Sequence, residues 1–374
     1  MKLVFWASLL FVAYTYAGYP LLVWTLSRLR REKSAVHEAI AEWPSVCVIV
    51  AVYNEQDRVL AKIANLRTVD YPPDKLRIIF VSDGSTDQTN DRVANETGVD
   101  LVAYPVRRGK PHALNTGVQA AREEVLVFTD VRQALEPRAL RYLVARLLEP
   151  GIGAVSGELV HFDPGTHAAS HIGLYWRYEK WIRKAESRLA SNLGVTGALY
   201  AIRRTDYSPI PNDTLLDDFE IPMRILRSGK RVVFESRAQV FDELQQSVSG
   251  ERQRKVRTLT GNFQSFARNP WLFSPLANSV FVQFLSHKVF RLFVPYALAL
   301  LFVSSLFLDG RLYRLVAGVQ FVGYAVCALG LAWPQLREQR LVSFLMVFLE
   351  LNWAAVLALG NFLAGRVDAR WEKT

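Results

Sequence analysis

The stretch SVCVIVAVYNE, residues 45–55, decides how the central part of the chain folds. Its first eight residues, Ser45–Val52, are almost all apolar, without the alternation of polar side chains that marks a strand with one face in water. Such a run is typical of a strand buried on both faces of a parallel sheet. The polar triplet Tyr53-Asn54-Glu55 follows where this strand should end. Because ligands bind beyond the carboxyl ends of the strands in such sheets, this end is the first candidate site.

Short apolar runs and helical stretches alternate over the next hundred residues. Alternation at this spacing indicates βαβ units, and therefore an α/β domain with a mostly parallel sheet. The predicted strands are Leu76–Ser82, Asp100–Tyr104 and Val125–Thr129, and the predicted helices between them are Asp57–Leu66, Thr86–Thr97 and Lys110–Ala121. Beyond Pro150 the pattern changes: Ile152–Leu159 is another predicted strand, but His167–Leu189 is predicted to be a long helix.

Acidic residues recur where these strands end. Asp83 is followed by a helix start, whose free backbone N–H groups can hold a polar ligand. Asp130 stands where a carboxylate could hold a divalent cation bound to phosphate. Asp217 and Asp218 are adjacent, and like-charge repulsion with desolvation can raise the pKa of one of them and produce a general base. Each of these acidic residues alone also fits a turn, a helix cap or the solvated start of a helix. Their order along the chain, taken together, indicates an active site.

Four runs are long and apolar enough to cross a bilayer, which takes about 20 residues. Leu3–Leu26, Leu292–Leu308 and Leu315–Leu336 carry no charge, and Leu341–Gly365 carries only Glu350. The sequence therefore predicts one N-terminal span and about three C-terminal spans.

These runs divide the chain into three predicted domains. They are an N-terminal transmembrane anchor at 1–27, a cytoplasmic domain at 28–268, and an interface helix with a transmembrane bundle and a short basic tail at 269–374. The basic cluster at 28–33 follows the first span, so the positive-inside rule places the central domain on the cytoplasmic face of the plasma (inner) membrane. The same rule would keep the basic tail inside, whereas three C-terminal spans would put it outside. Either the last run is re-entrant or the tail breaks the rule.

The net charge of +10 has two explanations. A basic chain can bind nucleic acid, but the sequence has no nucleic-acid recognition motif or zinc-ligand spacing. Basic residues beside the predicted spans instead suit anionic lipid headgroups. The sequence therefore predicts membrane lipid as a partner and predicts that the protein does not bind nucleic acid.

Six segments occur in a recognisable order along the chain. They are Ala51–Glu55 (AVYNE), Val81–Asp87 (VSDGSTD), Gly109–Asn115 (GKPHALN), Phe128–Asp130 (FTD), Thr196–Arg204 (TGALYAIRR) and Leu216–Asp218 (LDD). In this order they resemble the motifs of the family 2 nucleotide-sugar glycosyltransferases. The resemblance is closest to the membrane-integrated synthases of polysaccharides such as poly-N-acetylglucosamine, hyaluronan and cellulose.

The resemblance implies a GT-A fold and assigns roles to the donor side of the site. By analogy with the family, Tyr53, Glu55, Asp83 and Lys110 hold the nucleotide. Asp130 binds the divalent cation, Mg²⁺ or Mn²⁺, on the diphosphate. The ion would neutralise the charge that develops on the leaving nucleoside diphosphate.

The resemblance also assigns the catalytic acidic motif. Asp218, with Asp217 beside it, would take the proton from the acceptor hydroxyl as that hydroxyl attacks the anomeric carbon. The reaction of the family inverts that carbon in a single displacement.

Two positions depart from the family pattern. The metal motif usually has a second acidic residue two positions after the first, and this chain has Arg132 there. Metal binding would then depend on Asp130, the diphosphate and water, or Arg132 would contact phosphate directly.

The polysaccharide synthases also carry Gln-x-x-Arg-Trp before the bundle. Here Arg254 and Arg257 share one helix face, suited to a diphosphate, but no Trp follows, which puts processive polymerisation in question.

The sequence as a whole predicts an inverting transfer of a hexose or N-acetylhexosamine from a UDP-sugar to a glycan or lipid-linked acceptor, in extracellular polysaccharide synthesis, with an accessory export subunit as a possible partner. One alternative is single-sugar transfer to a polyprenyl phosphate or other lipid. Another is a catalytically inactive membrane partner that binds nucleotide sugar or polymer. The aromatic stretch Trp176–Glu179 fits either part of an acceptor site or an amphipathic helix packed on the sheet or membrane.

Overall fold

The structure, a computed structural model, describes residues 1–30, 40, 42–162, 174–243, 248–333, 335–336 and 339–366. The predicted start of a helix at His167, the basic residues 31–33 and the tail from 367 lie outside the described residues.

Eight strands form one sheet in the described part of the chain. The strands are β1 (Val46–Val52), β2 (Leu76–Asp83), β3 (Asp100–Tyr104), β4 (Val125–Thr129), β5 (Ala134–Leu135), β6 (Ile152–Phe162), β7 (Leu199–Arg203) and β8 (Arg231–Glu243). Their order is β3-β2-β1-β4-β7-β6-β8-β5. The first four are mutually parallel, β7 is antiparallel to both β4 and β6, β8 is parallel to β6, and β5 is antiparallel to β8. The sheet is mixed and mostly parallel, as predicted.

Helices connect these strands and cover both faces of the sheet. The helices are α1 (Lys2–Ala13), α2 (Tyr19–Leu29), α3 (Val59–Arg67), α4 (Thr89–Ala94), α5 (Lys110–Ala120), α6 (Ala139–Leu147), α7 (Leu174–Leu189), α8 (Asp217–Arg227), α9 (Val248–Arg268), α10 (Phe281–Gln283), α11 (Phe290–Leu306), α12 (Arg311–Ala332) and α13 (Arg340–Leu363).

The strand β1 lies in the centre of the core, with alternate side chains in two hydrophobic clusters. Val48 and Val50 pack among side chains of α3 and α6, whereas Cys47 and Ile49 pack among those of α5 and α8. Both faces of β1 are therefore dry, which explains why its sequence is a continuous apolar run. Because β1, β2 and β4 are parallel, their carboxyl ends meet at one edge of the sheet.

The chain divides into two compact units. One contains the sheet with its covering helices, and the other contains α1, α2, α7 up to Ala185, and all helices from α9 to α13. This division differs from the predicted boundary at residue 268, because α9 packs along α13. The predicted domains themselves stay predictions.

Among the residues that the structure describes, the second unit contains four helices long and apolar enough to cross a membrane: Lys2–Leu29, Phe281–Leu306, Arg311–Ala332 and Leu341–Leu363. The first two are continuous through π-helical turns at Tyr14–Gly18 and Phe284–Val289. This number and placement agree with the spans predicted from the sequence.

Polar side chains inside this second unit have protein partners. Glu350 lies 3.5 Å from Lys255 of α9, and Nδ2 of the buried Asn352 donates to the main-chain oxygen of Phe348 (2.8 Å). Glu179 of α7 is buried and pairs with Arg291 and with His287. The aromatic stretch around Glu179 is thus part of a helix packed among the apolar helices, and a role of this stretch in acceptor binding stays a prediction.

Close packing of α5 on the sheet gives a direct test of this core. A Cβ added at Gly117 would lie 2.6 Å from Cγ2 of Ile49, too close for either side chain to stay in place. Gly117→Val should therefore lower the free energy of unfolding by about 1–3 kcal/mol through overpacking. Gln119→Val, at an exposed position of the same helix, should change it by no more than about 0.5 kcal/mol. Equal losses in thermal unfolding of the two variants would contradict this packing.

Candidate active site

The carboxylate of Asp83, at the end of β2, organises the loop that leads to α5. The side chain is fully buried. Its Oδ1 accepts hydrogen bonds from the Tyr104 hydroxyl (2.8 Å) and the Arg108 N–H (2.7 Å), and its Oδ2 accepts one from the Gly109 N–H (2.9 Å). Burial, with the adjacent carboxylate, raises the pKa of Tyr104, so its hydroxyl stays a donor. Asp83 thereby fixes the backbone immediately before Lys110.

Gly84 lets the same loop approach β2. Its φ is +69°, and a Cβ there would lie 2.5 Å from the backbone nitrogen of Arg107. Only glycine combines this backbone conformation with so close an approach. The guanidinium of Arg107 in turn lies 3.8 Å from the ring centroid of Tyr53, at the end of β1.

The segment after β1 is bound to the segment after β2 by side chain–backbone hydrogen bonds. Asn54 has a φ of 53°, and its Oδ1 accepts a hydrogen bond from the Thr86 N–H (2.8 Å). The Glu55 N–H donates to Thr89 Oγ1 (2.8 Å), and the Glu55 carboxylate lies 3.2 Å from Arg58. The structure therefore brings the predicted nucleotide residues Tyr53, Glu55 and Asp83 to one sheet edge. Their contact with a nucleotide stays a prediction.

Lys110 joins two of the predicted acidic residues. It is the first residue of α5, and its Nζ lies 2.9 Å from Oδ1 of Asp130 and 3.5 Å from Oδ2 of Asp217. Burial alone would lower the pKa of Lys110, but the charges of Asp130, Asp217 and Asp218 outweigh it and raise the pKa. The ammonium therefore stays charged between carboxylates that would otherwise repel one another.

The two carboxylates of the pair Asp217 and Asp218 have different surroundings. Asp217 is buried, and its Oδ2 makes no hydrogen bond within the described residues. Asp218 is only partly buried and faces Gly197, where an added Cβ would lie 3.4 Å from its Oδ2. The Val195 N–H also donates to the main-chain oxygen of Asp218 (2.9 Å). The segment Thr196–Arg204 thus begins against the more accessible of the two acids.

Lys62 of α3 is a site residue that sequence reasoning missed. It is 2% exposed, and its Nζ donates to Thr129 Oγ1 (2.9 Å) and to the main-chain oxygen of Gln133 (2.7 Å). It thus connects both ends of the turn that carries Asp130. Burial lowers the pKa of Lys62 to about 7, although the charge of Asp130 opposes this. A lysine within the apolar face of a helix was the available signal, but a single residue does not show where its ammonium ends.

Arg132, predicted to contact a diphosphate or acceptor, pairs with Asp242 of β8 at 2.5 Å. A phosphate contact by Arg132 stays a prediction and would have to compete with this pair. Arg254 and Arg257 lie on α9, in the other unit, and their predicted role is likewise untested.

The residues around Asp130 suit only one kind of metal site. No group of three or more His, Cys, Asp or Glu side chains able to hold a metal occurs in the part of the chain that the structure describes. Asp130 has a side chain 39% exposed, with a single lysine on one oxygen. One accessible carboxylate suits an ion such as Mg²⁺ that keeps several waters and takes the remaining ligands from substrate phosphates. The residues present therefore fit a cation that arrives with a diphosphate.

Two protein-family models match the chain. "Glycosyl transferase family 2" matches residues 47–208, and "Glycosyl transferase family group 2" matches residues 132–357, more than half of the chain.

Curated relatives with related names match about half of the chain or more. A probable glycosyltransferase of Bacillus subtilis, YdaM, is 24% identical over 247 residues, which cover 60% of this chain and 57% of the relative. The poly-beta-1,6-N-acetyl-D-glucosamine synthase of Staphylococcus epidermidis is 21% identical over 241 residues, covering 60% and 56%. An N-acetylglucosaminyltransferase of Rhizobium sp. is 27% identical over 189 residues, covering 48% and 41%. The chain thus spans little more than half the length of the first two.

A solved structure extends the likeness to nearly the whole fold. The mannosyltransferase PcManGT from Pyrobaculum calidifontis, in complex with GDP-Man and Mn²⁺, superposes with a TM-score of 0.75 over 97% of this chain and 99% of that one, at 23% identity. The similarity confirms the predicted GT-A fold with apolar helices at both ends of the chain.

The buried ammonium of Lys62 should make stability depend on pH. Its pKa is about 7 in the folded protein and about 10.4 in an unfolded chain. Between these values the unfolded chain binds one more proton than the folded chain, so stability should rise with pH by up to about 1.4 kcal/mol per unit. Lys62→Met should lose this rise between pH 7 and 10, measured by unfolding of the two proteins in detergent.

Lys75, whose ion pair with Glu42 is exposed, provides the control. Lys75→Met should keep the pH dependence of the wild type. If the free energies of unfolding of the wild type and Lys62→Met changed with pH in parallel, Lys62 would keep its proton in the folded protein over this pH range, and the prediction would be wrong.

Proposed function

Because the chain belongs to glycosyl transferase family group 2, we propose that it catalyses an inverting transfer of a hexose or N-acetylhexosamine from a UDP-sugar to a glycan or lipid-linked acceptor. The product would contribute to an extracellular polysaccharide. The observation that carries this proposal is the contact of Lys110 with both Asp130 and Asp217 beside the accessible Asp218. This arrangement supports the proposal because Asp130, the ammonium of Lys110 and Asp218 lie together at one sheet edge.

On the donor side, Tyr53 and Glu55 would line the nucleotide pocket, since both follow β1 at this edge. Asp83 would act chiefly through the loop, because both its oxygens already accept hydrogen bonds from it. That loop positions Lys110, whose ammonium compensates the charges of the acidic residues. The nucleotide side of the site is thus held by backbone geometry as much as by side chains.

Asp130 would hold a divalent cation, Mg²⁺ or Mn²⁺, together with the donor diphosphate. Such an ion stabilises the negative charge of the leaving nucleoside diphosphate. The accessible carboxylate of Asp130 suits this role. Once the divalent cation binds the Asp130 oxygen that Lys110 contacts, the ammonium of Lys110 would be free to shift toward phosphate.

Asp218 would act as the general base. Its carboxylate would accept the proton of the acceptor hydroxyl, whose oxygen attacks the anomeric carbon opposite the leaving diphosphate. Direct displacement from that side inverts the carbon. Asp217 is the poorer candidate because it is buried beside Lys110, and we assign it to positioning this end of α8 and Lys110.

The four long apolar helices would anchor the enzyme in the plasma (inner) membrane. Arg28 and Arg30 lie at the C-terminal end of the first of them, so the positive-inside rule favours a sheet unit in the cytoplasm, where nucleotide sugars are made. Membrane lipid would surround the spans, and a separate export subunit stays a possible partner.

One observation favours a second function, transfer of a single sugar to a polyprenyl phosphate or other lipid. After Arg257 the chain has Thr258 where the family's synthases carry a Trp. Without an aromatic ring for a sugar to stack on, a growing polymer is held less firmly. Product length separates the two functions.

Removal of the proposed base tests the mechanism. Asp218→Asn should reduce transfer by about 10²–10⁴-fold, since it removes general-base catalysis. Binding of the donor nucleotide should stay within a few-fold, because the donor side is unchanged. The control is Asp74→Asn on an exposed turn, which should keep full transfer. Near-wild-type turnover in Asp218→Asn would rule this base out.

A panel of radiolabelled donors tests the substrates. Membranes containing the protein would receive UDP-glucose, UDP-N-acetylglucosamine or GDP-mannose, with Mn²⁺, Mg²⁺ or EDTA, and products would be sized after lipid extraction. Long polymer from a UDP-sugar supports the polysaccharide function, and a short extractable product supports the lipid function. Labelling only from GDP-mannose would exclude a UDP-sugar donor, and full activity in EDTA would exclude the metal role of Asp130.

A further inference from the structure

The replacement of an acid by Arg132 raises an electrostatic question at the end of β4. Arg132 lies two residues after Asp130, which is the single accessible carboxylate proposed to hold a divalent cation. An unpaired guanidinium there would add a positive charge to that of Lys110, in a turn that Lys62 also contacts. Both charges would oppose the binding of a cation at Asp130.

The fold supplies a carboxylate against this charge from a distant part of the sequence. Asp242, on β8, is 2% exposed, and its Oδ2 lies 2.5 Å from Arg132 Nη2. The same oxygen accepts a hydrogen bond from Gln133 Nε2 (3.2 Å). Residues 134 and 135 pair with β8 directly, with Ala134 opposite Phe241, so this contact follows from the sheet register.

The pairing also fixes where the guanidinium lies. Lys62 holds the turn from the other side, through Thr129 and the Gln133 carbonyl. The turn around Asp130 is therefore bound by α3 on one side and by β8 on the other. Within the described residues, the second oxygen of Asp242 is buried without a hydrogen bond. A buried carboxylate with so few donors is costly unless it is paired with an opposite charge, which here is the guanidinium of Arg132.

We propose that Asp242 is a positioning residue of the metal site: it neutralises Arg132 and holds it in the sheet, so that Asp130 stays available to a divalent cation. This inference rests on the proposed function, because it assumes that Asp130 binds such an ion. The metal motif lacks its second acid, and Asp242 of β8 supplies the corresponding negative charge from a different position in the fold.

A double-mutant cycle on Mn²⁺ binding tests the proposal. The purified protein would be titrated with Mn²⁺, alone and with UDP or GDP, and free Mn²⁺ would be measured by its electron paramagnetic resonance signal. Asp242→Asn should weaken Mn²⁺ binding by about tenfold or more, since it releases the charge of Arg132. Adding Arg132→Ala to that variant should restore binding to within about threefold of the wild type.

Asp206 provides a matched control. It also pairs one oxygen with a cation, Lys230, and also has a buried second oxygen without a hydrogen bond among the described residues. Asp206→Asn should lower thermal stability as Asp242→Asn does, but leave Mn²⁺ binding unchanged. A purely structural role for Asp242 would make the two variants behave alike.

The remaining outcomes separate the proposal from its premise. Wild-type protein that binds no Mn²⁺ under any condition would refute the metal role of Asp130 and this inference with it. Mn²⁺ binding that Asp242→Asn leaves intact, or that Arg132→Ala fails to restore, would refute the inference alone. If Asp242→Asn does not fold, Arg132→Ala by itself decides: it should bind Mn²⁺ at least as tightly as the wild type, and a tenfold loss would overturn the proposal.

Discussion

The site depends on one shared cation, the ammonium of Lys110. Asp130 comes from the end of β4 and Asp217 from the start of α8, and their carboxylates would repel each other in a partly buried edge of the sheet without it. Lys110 can serve both because its backbone is fixed one residue earlier, where the Gly109 N–H binds the buried carboxylate of Asp83. A carboxylate on β2 thus determines where a lysine on α5 meets acids from two further elements.

The strand order makes this convergence possible. The parallel strands β1, β2 and β4 bring their carboxyl ends to one edge, as in any sheet of this kind. The antiparallel β7 then starts where β4 ends, with Leu199 opposite Thr129. This reversal brings the segment before β7 to the same edge, where Gly197 lies against the side chain of Asp218. A purely parallel continuation would have placed that segment at the opposite edge.

Compensation of buried charge recurs elsewhere in the molecule. Arg132 is matched by Asp242 in the sheet unit, and Glu179 is matched by Arg291 among the apolar helices. Breaking a buried pair leaves an uncompensated charge, which costs far more than the pair itself contributes. Such pairs therefore help to specify which elements pack together, as Glu179 and Arg291 do for α7 and α11.

The sequence by itself determined the core strands, the apolar helices and the order of the acidic motifs, because periodicity and local residue type are properties of short segments. It placed β3 and β4 at their observed bounds but made α4 too long, since the backbone of Thr86 and Gln88 binds Asn54 and Gln56 instead of continuing a helix. It did not find β7, β8 or the role of Lys62. Only the tertiary structure decided that Lys110 lies between Asp130 and Asp217, and that Asp242 reaches Arg132 across 110 residues. Those contacts depend on strand order and register, which bring together charges that no local pattern relates.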